Sequence, residues 1–202
     1  AFYIDWSKIQ QQLLLQCGFS FTANVGKAVS KGGEFELRAR VADGLTLGGY
    51  VNYTDAKITD TLPGTSAHDG DRVLTTPKWI VGVNGEYRFG IGGGATLVTR
   101  LDYQYRSNQW RDFDSFICRA APGAAADPAR PGCTGANRVP VANSAHIQDG
   151  YGSANAAIGI ESERWTAQLY VNNLFDAAPV LDNPTILGID KRSTLRPRTI
   201  GL

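Results

Sequence analysis

The sequence predicts an all-β protein, an antiparallel up-and-down segment of a transmembrane β-barrel with about eight strands. Three observations predict it. Apolar and polar residues alternate along several segments, aromatic residues stand at both ends of some segments, and short connections alternate with long ones. Between Trp165 and Phe175 the odd positions are mostly apolar and the even positions mostly polar. At about 3.3 Å per residue and a tilt near 40–45°, these aromatics stand roughly 25 Å apart in height, which matches the apolar band of a membrane barrel.

The same alternation defines the other strands. Trp79 and Phe89 repeat the spacing of Trp165 and Phe175, and no charged residue falls on the apolar face of the alternating segments. The strands are expected near residues 1–13, 19–41, 45–58, 78–89, 95–109, 150–161, 165–175 and 194–202. The aromatic residues expected at the membrane interfaces are Tyr53, Trp79, Tyr87, Phe89, Tyr103, Tyr105, Trp165 and Phe175.

The connections between these strands alternate in length. Short ones lie at 42–44, 90–94 and 161–164, and long ones lie at about 59–77, 110–147 and 176–193. Short turns at one end and long loops at the other are typical of an outer-membrane barrel, in which the long loops are extracellular.

Composition restricts the class of protein. The formal net charge is +1, so no basic footprint for nucleic acid is present, and no run of about 18 apolar residues predicts a transmembrane helix. The chain contains no methionine and opens at Ala1 in what already resembles a strand. We therefore expect a processed chain or a fragment, so a missing signal peptide says nothing about location.

Two soluble alternatives share part of this pattern. A β-sandwich would also alternate, and a lipocalin-type barrel would turn its apolar face inward around a ligand. The paired aromatic residues favour the membrane barrel over both, because a soluble sheet has no reason to place them at this interval.

The segment YVNNLFD, Tyr170 to Asp176, resembles the C-terminal part of a TonB-dependent outer-membrane receptor, which has an NLFD element in its penultimate strand. Further similar segments follow in order along the chain: IDWSKIQ (4–10), NVGKAVSKGGEFEL (24–37), ADGLTLGGYVNYTDAKI (42–58), TTPKWIVGVNGEYRF (75–89) and RPRTIGL (196–202). The resemblance implies a 22-stranded barrel closed by an N-terminal plug, with residues 1–202 forming about its last third and no plug domain present.

Two departures from the family pattern qualify this resemblance. Such receptors usually end their last strand with an aromatic residue, whereas this chain stops at Leu202, and the plug and TonB box are missing. By itself the chain would therefore not be gated by TonB.

The resemblance also implies a function and a location. The complete receptor would lie in the bacterial outer membrane and import a scarce substrate, such as a ferric siderophore, cobalamin or a saccharide, into the periplasm. Its partners would be outer-membrane lipid, the plug and remaining strands, TonB through the plug, and the small-molecule substrate. The alternative is a stand-alone eight-stranded outer-membrane barrel with a structural or adhesive role.

The cysteines predict one disulfide. Cys118 and Cys133 lie in the same long loop, and a cell-surface loop is an oxidising environment, so we expect them to pair. The bridge would stabilise the loop by about 3 kcal/mol in the chain-entropy model. Cys17 is left over, and its partner would lie upstream. The three cysteines with His68 and His146 show no metal-ligand spacing, no cofactor is expected, and no enzyme signature is present.

The polar face is expected to line the barrel lumen, because Arg facing lipid would cost about 2–4 kcal/mol at the midplane. We expect its residues to hydrogen-bond to the plug or to one another: Glu34, Glu36, Arg38, Arg40, Asn84, Glu86, Arg88, Arg100, Asp102 and Arg106. The candidates for substrate contact near the extracellular rim are Lys78, Arg106, Gln109, Trp110 and Arg111.

Overall fold

A computed structural model describes residues 1–14, 20–24, 26–60, 69–111, 116–118, 138–140, 147–182, 185–186, 189–190 and 192–202. All regular structure in these residues is β-strand. Among them, no helix combines the length and the apolar character that a membrane crossing requires.

The strands are numbered in chain order. They are β1 (Phe2–Ser7), β2 (Gln10–Leu14), β3 (Ser20–Asn24), β4 (Lys27–Ala42), β5 (Leu45–Ile58), β6 (Trp79–Gly92), β7 (Ala95–Arg106), β8 (Gln109–Trp110), β9 (Phe116–Cys118), β10 (Arg138–Pro140), β11 (Ile147–Gln148), β12 (Tyr151–Glu161), β13 (Thr166–Asn172), β14 (Val180–Asp182), β15 (Thr185–Ile186), β16 (Ile189–Asp190), β17 (Ser193–Thr194) and β18 (Thr199–Gly201).

Eight of these strands form the main sheet, in the order β1-β4-β5-β6-β7-β12-β13-β18. Neighbours in this order follow each other along the chain, as in a meander, and each defined register is antiparallel. The predicted all-β fold with eight main strands is confirmed. The remaining short strands form the pairs β2-β3, β8-β11, β9-β10, β14-β17 and β15-β16, so the segments predicted as long loops also contain ladders.

The first two predicted strands are each interrupted. The ladder of β1 and β4 ends at the pair Ser7 and Lys27. Beyond it, Lys8 and Gly26 both have positive φ angles, 58° and 81°, and the carbonyl of Gly26 accepts hydrogen bonds from the backbone N–H groups of Lys8 and Ile9. Pairing resumes in β2 and β3. The left-handed conformation bends each of these two strands out of the extended form. The alternation of apolar and polar residues in the sequence does not predict these interruptions.

The chain divides into two compact units. Unit 1 comprises Ala1–Gly33, Thr54–Pro77 and Asn108–Gln148. Its described core is one small hydrophobic cluster, with Ile9 and Trp110 packed against it. The members of that cluster are Ala28, Ala56, Ile58, Val73 and Leu74.

Unit 2 comprises Glu34–Tyr53, Lys78–Ser107 and Asp149–Leu202. Val98 and Ala154 are its only buried hydrophobic side chains among the described residues. The strands of this unit are therefore held together mainly by their ladders and by cross-strand side-chain contacts, because the described residues form no apolar core on either face.

Candidate functional site

One face of the unit 2 sheet is apolar and exposed. The registers bring apolar residues of neighbouring strands side by side, as in the pairs of Val83 with Tyr103 and of Ile158 with Leu169. Leu101 is 54% exposed although it lies in the middle of β7. The large exposed hydrophobic residues of the unit's strands are Phe35, Leu37, Val41, Leu47, Val51, Trp79, Val83, Tyr87, Phe89, Ile91, Leu101, Tyr103, Tyr105, Ile158, Leu169 and Ile200. This set is called the apolar face below. It exposes large hydrophobic side chains of the kind that a soluble protein buries in its core.

The opposite face of the same sheet holds a charge network. Arg100 Nε donates a hydrogen bond to Glu86 Oε2 at 2.8 Å across the β6-β7 ladder, and the Arg88 guanidinium pairs with the Glu161 carboxylate. Arg88 Nη1 lies 3.5 Å from Glu86 Oε1, and Arg100 Nη2 lies 3.9 Å from Glu161 Oε1. Two cations and two anions therefore balance one another over three strands.

Hydrogen bonds between an amide and a carboxylate continue this pattern along the polar face. Asn155 Nδ2 donates to Asp102 Oδ1 at 2.8 Å, and Asn52 Nδ2 donates to Glu34 Oε1 at 2.7 Å. The expectation that the inward polar residues bond to one another is thus met for these carboxylates, for Glu86, and for the two arginines of the network.

Trp110, a candidate ligand residue, is half-buried in unit 1. Its backbone carbonyl accepts a hydrogen bond from the N–H of Thr75 at 2.7 Å, and its side chain packs against the hydrophobic cluster. The guanidinium carbon of Arg72 lies 5.5 Å from the centre of its ring, a cation–π distance. Part of the role of Trp110 is therefore structural.

Arg72 is a residue that the sequence analysis missed, because it lies in the stretch predicted as a loop. The ladder continues there: Lys57 bridges to Arg72, and Val73 N–H donates to Ala56 O at 3.0 Å. Arg72 Nη2 lies 3.4 Å from the carbonyl oxygens of both Thr76 and Asn108. Burial lowers the pKa of Arg72, and the nearby Asp55 carboxylate partly offsets this.

The other ligand candidates fall in both units. In unit 1, Gln109 Nε2 donates to Gln148 Oε1 at 2.8 Å in the β8-β11 pair, and Arg111 is half-buried. In unit 2, Lys78 directly precedes β6, and Arg106 ends β7 opposite Ile80. Ligand contact by these residues stays a prediction.

The interface aromatics are placed as follows. Tyr53 packs against Trp79, with ring centroids 4.6 Å apart, and Tyr87 stacks on Phe89 at 6.4 Å. Trp165 and Phe175, which flank β13, are both exposed. Their position at a membrane interface stays a prediction.

The predicted disulfide lies outside the described side chains. Cys118 ends β9 opposite Arg138, while Cys133, Cys17 and both histidines fall outside the described residues. In the part of the chain that the structure describes, no group of three or more His, Cys, Asp or Glu residues could hold a metal ion.

Comparison with known proteins decides the family. A family model described as TonB dependent receptor-like, beta-barrel matches residues 1–174. The chain belongs to this TonB-dependent receptor family. The family resemblance predicted from the sequence is confirmed, and the family is one of transporters rather than enzymes.

Solved structures show the same fold over nearly the whole chain. The ferric yersiniabactin uptake receptor FyuA from Yersinia pestis has a TM-score of 0.68 at 20% identity, covering 98% of this chain and 25% of its own. BauA, the ferric preacinetobactin receptor from Acinetobacter baumannii, has 0.58 at 15%, covering 98% and 25%. The ferric-catecholate import receptor Fiu from E. coli K12 has 0.57 at 17%, covering 98% and 23%. The TonB-dependent receptor chain thus spans about a quarter of the length of these proteins.

The NLFD element that first indicated this family has a different conformation from the one predicted. The sequence analysis expected one strand through Phe175, but β13 ends at Asn172. Asn173 has a φ of 53° and is only 7% exposed. Its Nδ2 donates to the carbonyls of Ala177 and Arg196, both at 2.9 Å, and its backbone N–H donates to Asn155 Oδ1 at 3.0 Å. Asn and Asp adopt this conformation more readily than other residues with side chains, which explains the choice of Asn.

Proposed function

We propose that this chain is part of an outer-membrane TonB-dependent receptor that imports a ferric siderophore into the periplasm. The observation that carries the proposal is the inverted distribution of side chains in unit 2, with an exposed apolar face on one side of the sheet and a balanced charge network on the other. The match to the β-barrel of TonB-dependent receptors supports the interpretation of this inversion as that of a membrane barrel.

The apolar face supports a place in lipid. Monomeric soluble proteins rarely expose contiguous apolar patches of more than a few hundred Å², and this face extends over seven neighbouring strands. Transfer of apolar surface out of water is favourable by about 25 cal/mol per Å², so a hydrocarbon environment stabilises the sheet in the form described. We infer that the long connections lie on the extracellular side.

The polar face supports a place in a lumen that holds other parts of the receptor. The Glu86–Arg100 and Arg88–Glu161 pairs satisfy charges that hydrocarbon would not accept. We propose that the plug of the receptor packs against this face and that TonB acts through the plug.

The substrate class rests on similarity and on the character of the rim residues. The three solved structures named above are, by their own descriptions, receptors for ferric yersiniabactin, ferric preacinetobactin and ferric catecholates. An aromatic residue beside arginines suits an anionic, aromatic ferric complex, since Arg binds anions and stacks on ring faces. Trp110 and Arg111, with Lys78, Arg106 and Gln109, are the proposed contacts.

Uptake of radioactive iron tests the proposal. A strain lacking the complete receptor would be complemented with the wild-type gene and supplied with ferric yersiniabactin or a ferric catecholate. Uptake that requires both the receptor and TonB supports the proposal. Receptor deletion without effect on uptake of any ferric complex contradicts it and favours the stand-alone barrel with a structural or adhesive role. Receptor-dependent uptake that persists without TonB also contradicts it, because the proposed import depends on TonB.

A further inference from the structure

A basic segment lies next to the apolar face at the end of unit 2. The stretch RSTLRPR, residues 192–198, contains three arginines and no acidic residue. Arg196 and Arg198 are exposed, and among the described residues no carboxylate forms an ion pair with either guanidinium. Two guanidinium groups without a carboxylate partner in the described part of the chain, next to an apolar surface, favour binding of an anionic ligand.

The backbone of this segment is fixed by the turn that follows β13. The Arg198 N–H donates to Asp176 Oδ1 at 2.8 Å, and the Arg196 carbonyl accepts from Asn173 Nδ2 at 2.9 Å. Pro197 restricts the residue before it to extended conformations. Because alternate residues of an extended chain share a side, Arg196 and Arg198 are expected to project together. The pair is therefore preorganised rather than part of a free loop.

The pair stands at the border of the apolar surface. Arg198 is two residues before Ile200, which is 65% exposed and pairs with Val171. Phe175, in the turn that holds Arg198, is 67% exposed. Arg198 Nη1 lies 3.5 Å from the Leu174 carbonyl, a weak contact that leaves most of the guanidinium donors for a ligand.

We propose that Arg196 and Arg198 form a binding site for the phosphate group of a membrane lipid, with Phe175 and Ile200 contacting its hydrocarbon. Guanidinium groups bind phosphate through two parallel hydrogen bonds, and the adjacent exposed apolar side chains select a lipid over a free phosphate ion. The site would anchor the last strand of the chain in the leaflet next to the long connections. This inference rests on the membrane location proposed above.

Native mass spectrometry of the complete receptor tests the site, with phosphatidic acid and a diacylglycerol of identical acyl chains as probes. The wild type should prefer phosphatidic acid. Each arginine should contribute about five-fold to this preference, so R196A/R198A should reduce it about 25-fold. R192A is the matched control, because Arg192 is exposed in the same segment but is not held by the turn at 173–177, and it should leave the preference unchanged.

Three outcomes overturn the inference: equal binding of both lipids by the wild type, an unchanged preference in R196A/R198A, or complete displacement of the lipid by inorganic phosphate. If the alanine variant does not fold, R196Q/R198Q replaces it, because glutamine keeps a long polar side chain without the charge. A receptor that inserts into membranes and imports iron without a phosphate preference overturns this inference alone. A receptor that does not insert overturns the proposed function.

Discussion

The side-chain amide of Asn173 bonds to both backbone groups of Ala177: Nδ2 donates to the carbonyl oxygen, and Oδ1 accepts from the N–H, each at 2.9 Å. The same Nδ2 donates to the Arg196 carbonyl. One buried amide thus closes the turn after β13 and joins it to the segment before β18.

Asn173→Ala is expected to destabilise the receptor by about 3 kcal/mol, since it removes three hydrogen bonds from a buried site at roughly 1 kcal/mol each. Urea unfolding of the complete receptor in lipid measures the change. Asn172→Ala is the matched control, because Asn172 is exposed, and it should stay within about 0.5 kcal/mol of the wild type. Equal losses in both variants would contradict the role of Asn173.

Adjacent residues of β6 test which face meets lipid. Val83 belongs to the apolar face and is 53% exposed, while Asn84 points to the polar face. Val83→Arg should cost about 2–4 kcal/mol in the bilayer and reduce the folded, heat-modifiable form of the receptor in membranes. Asn84→Arg should leave the amount of that form unchanged. Loss of the folded form in Asn84→Arg but not in Val83→Arg would show that the assignment of the two faces is wrong.

The ring of Tyr50 in β5 covers Gly82, its partner in the neighbouring strand β6. A Cβ at Gly82 would overlap the Tyr50 ring, whose hydroxyl accepts a hydrogen bond from Gln104 Nε2 at 2.6 Å. Gly82→Ala should therefore displace the ring and destabilise the sheet by about 1–3 kcal/mol, measured by thermal unfolding. Gly90→Ala serves as the control in the same strand, because a Cβ there meets nothing within 4 Å. Equal stability of the two variants would show that Tyr50 adjusts at no cost.

The Glu86–Arg100 pair should be only modestly stabilising. Their side chains are 29% and 49% exposed, so solvent screens the attraction. A double-mutant cycle with Glu86→Gln and Arg100→Gln should give a coupling of about 0.2–1 kcal/mol that falls as salt is added. The more exposed Arg40–Asp43 pair should give a coupling near zero. A large coupling that does not respond to salt would mean that water does not reach this face in the assembled receptor.

Arg111 offers a cleaner test of ligand contact than Trp110, because Trp110 also packs against the hydrophobic cluster. Arg111→Ala should weaken binding of the ferric complex about ten-fold, the effect of one lost charge-assisted hydrogen bond. Equilibrium binding to the purified receptor measures it, with Arg40→Ala, beside the short β4-β5 turn, as a control for loss of charge. Unchanged affinity in Arg111→Ala would remove this residue from the proposed site.

The sheet and its two faces could be predicted because alternation is local. Val83 and Asn84 are assigned to opposite faces by their neighbours in the sequence alone, and the register places them so. The strand expected at 78–89 is found as Trp79–Gly92 by the same signal.

What could not be predicted depends on distant partners. Asn173 is one of the odd positions between Trp165 and Phe175, so the alternation alone places it on the apolar face. Its turn is fixed by Ala177 and by Arg196, a residue far along the chain. Arg72 was likewise hidden, because its contact with Trp110 joins two segments that the sequence pattern treats as separate loops.

Few apolar side chains are buried among the described residues of unit 2, and this exposes the chain to aggregation before it reaches a membrane. In water, the surfaces that lipid would cover are free to adhere to one another, and collapse into aggregates competes with formation of the ladders. The period between synthesis and insertion is therefore the most hazardous for this chain. A carrier that shields Val83, Leu101 and their neighbours until hydrocarbon replaces it would be as necessary to the native state as any hydrogen bond within it.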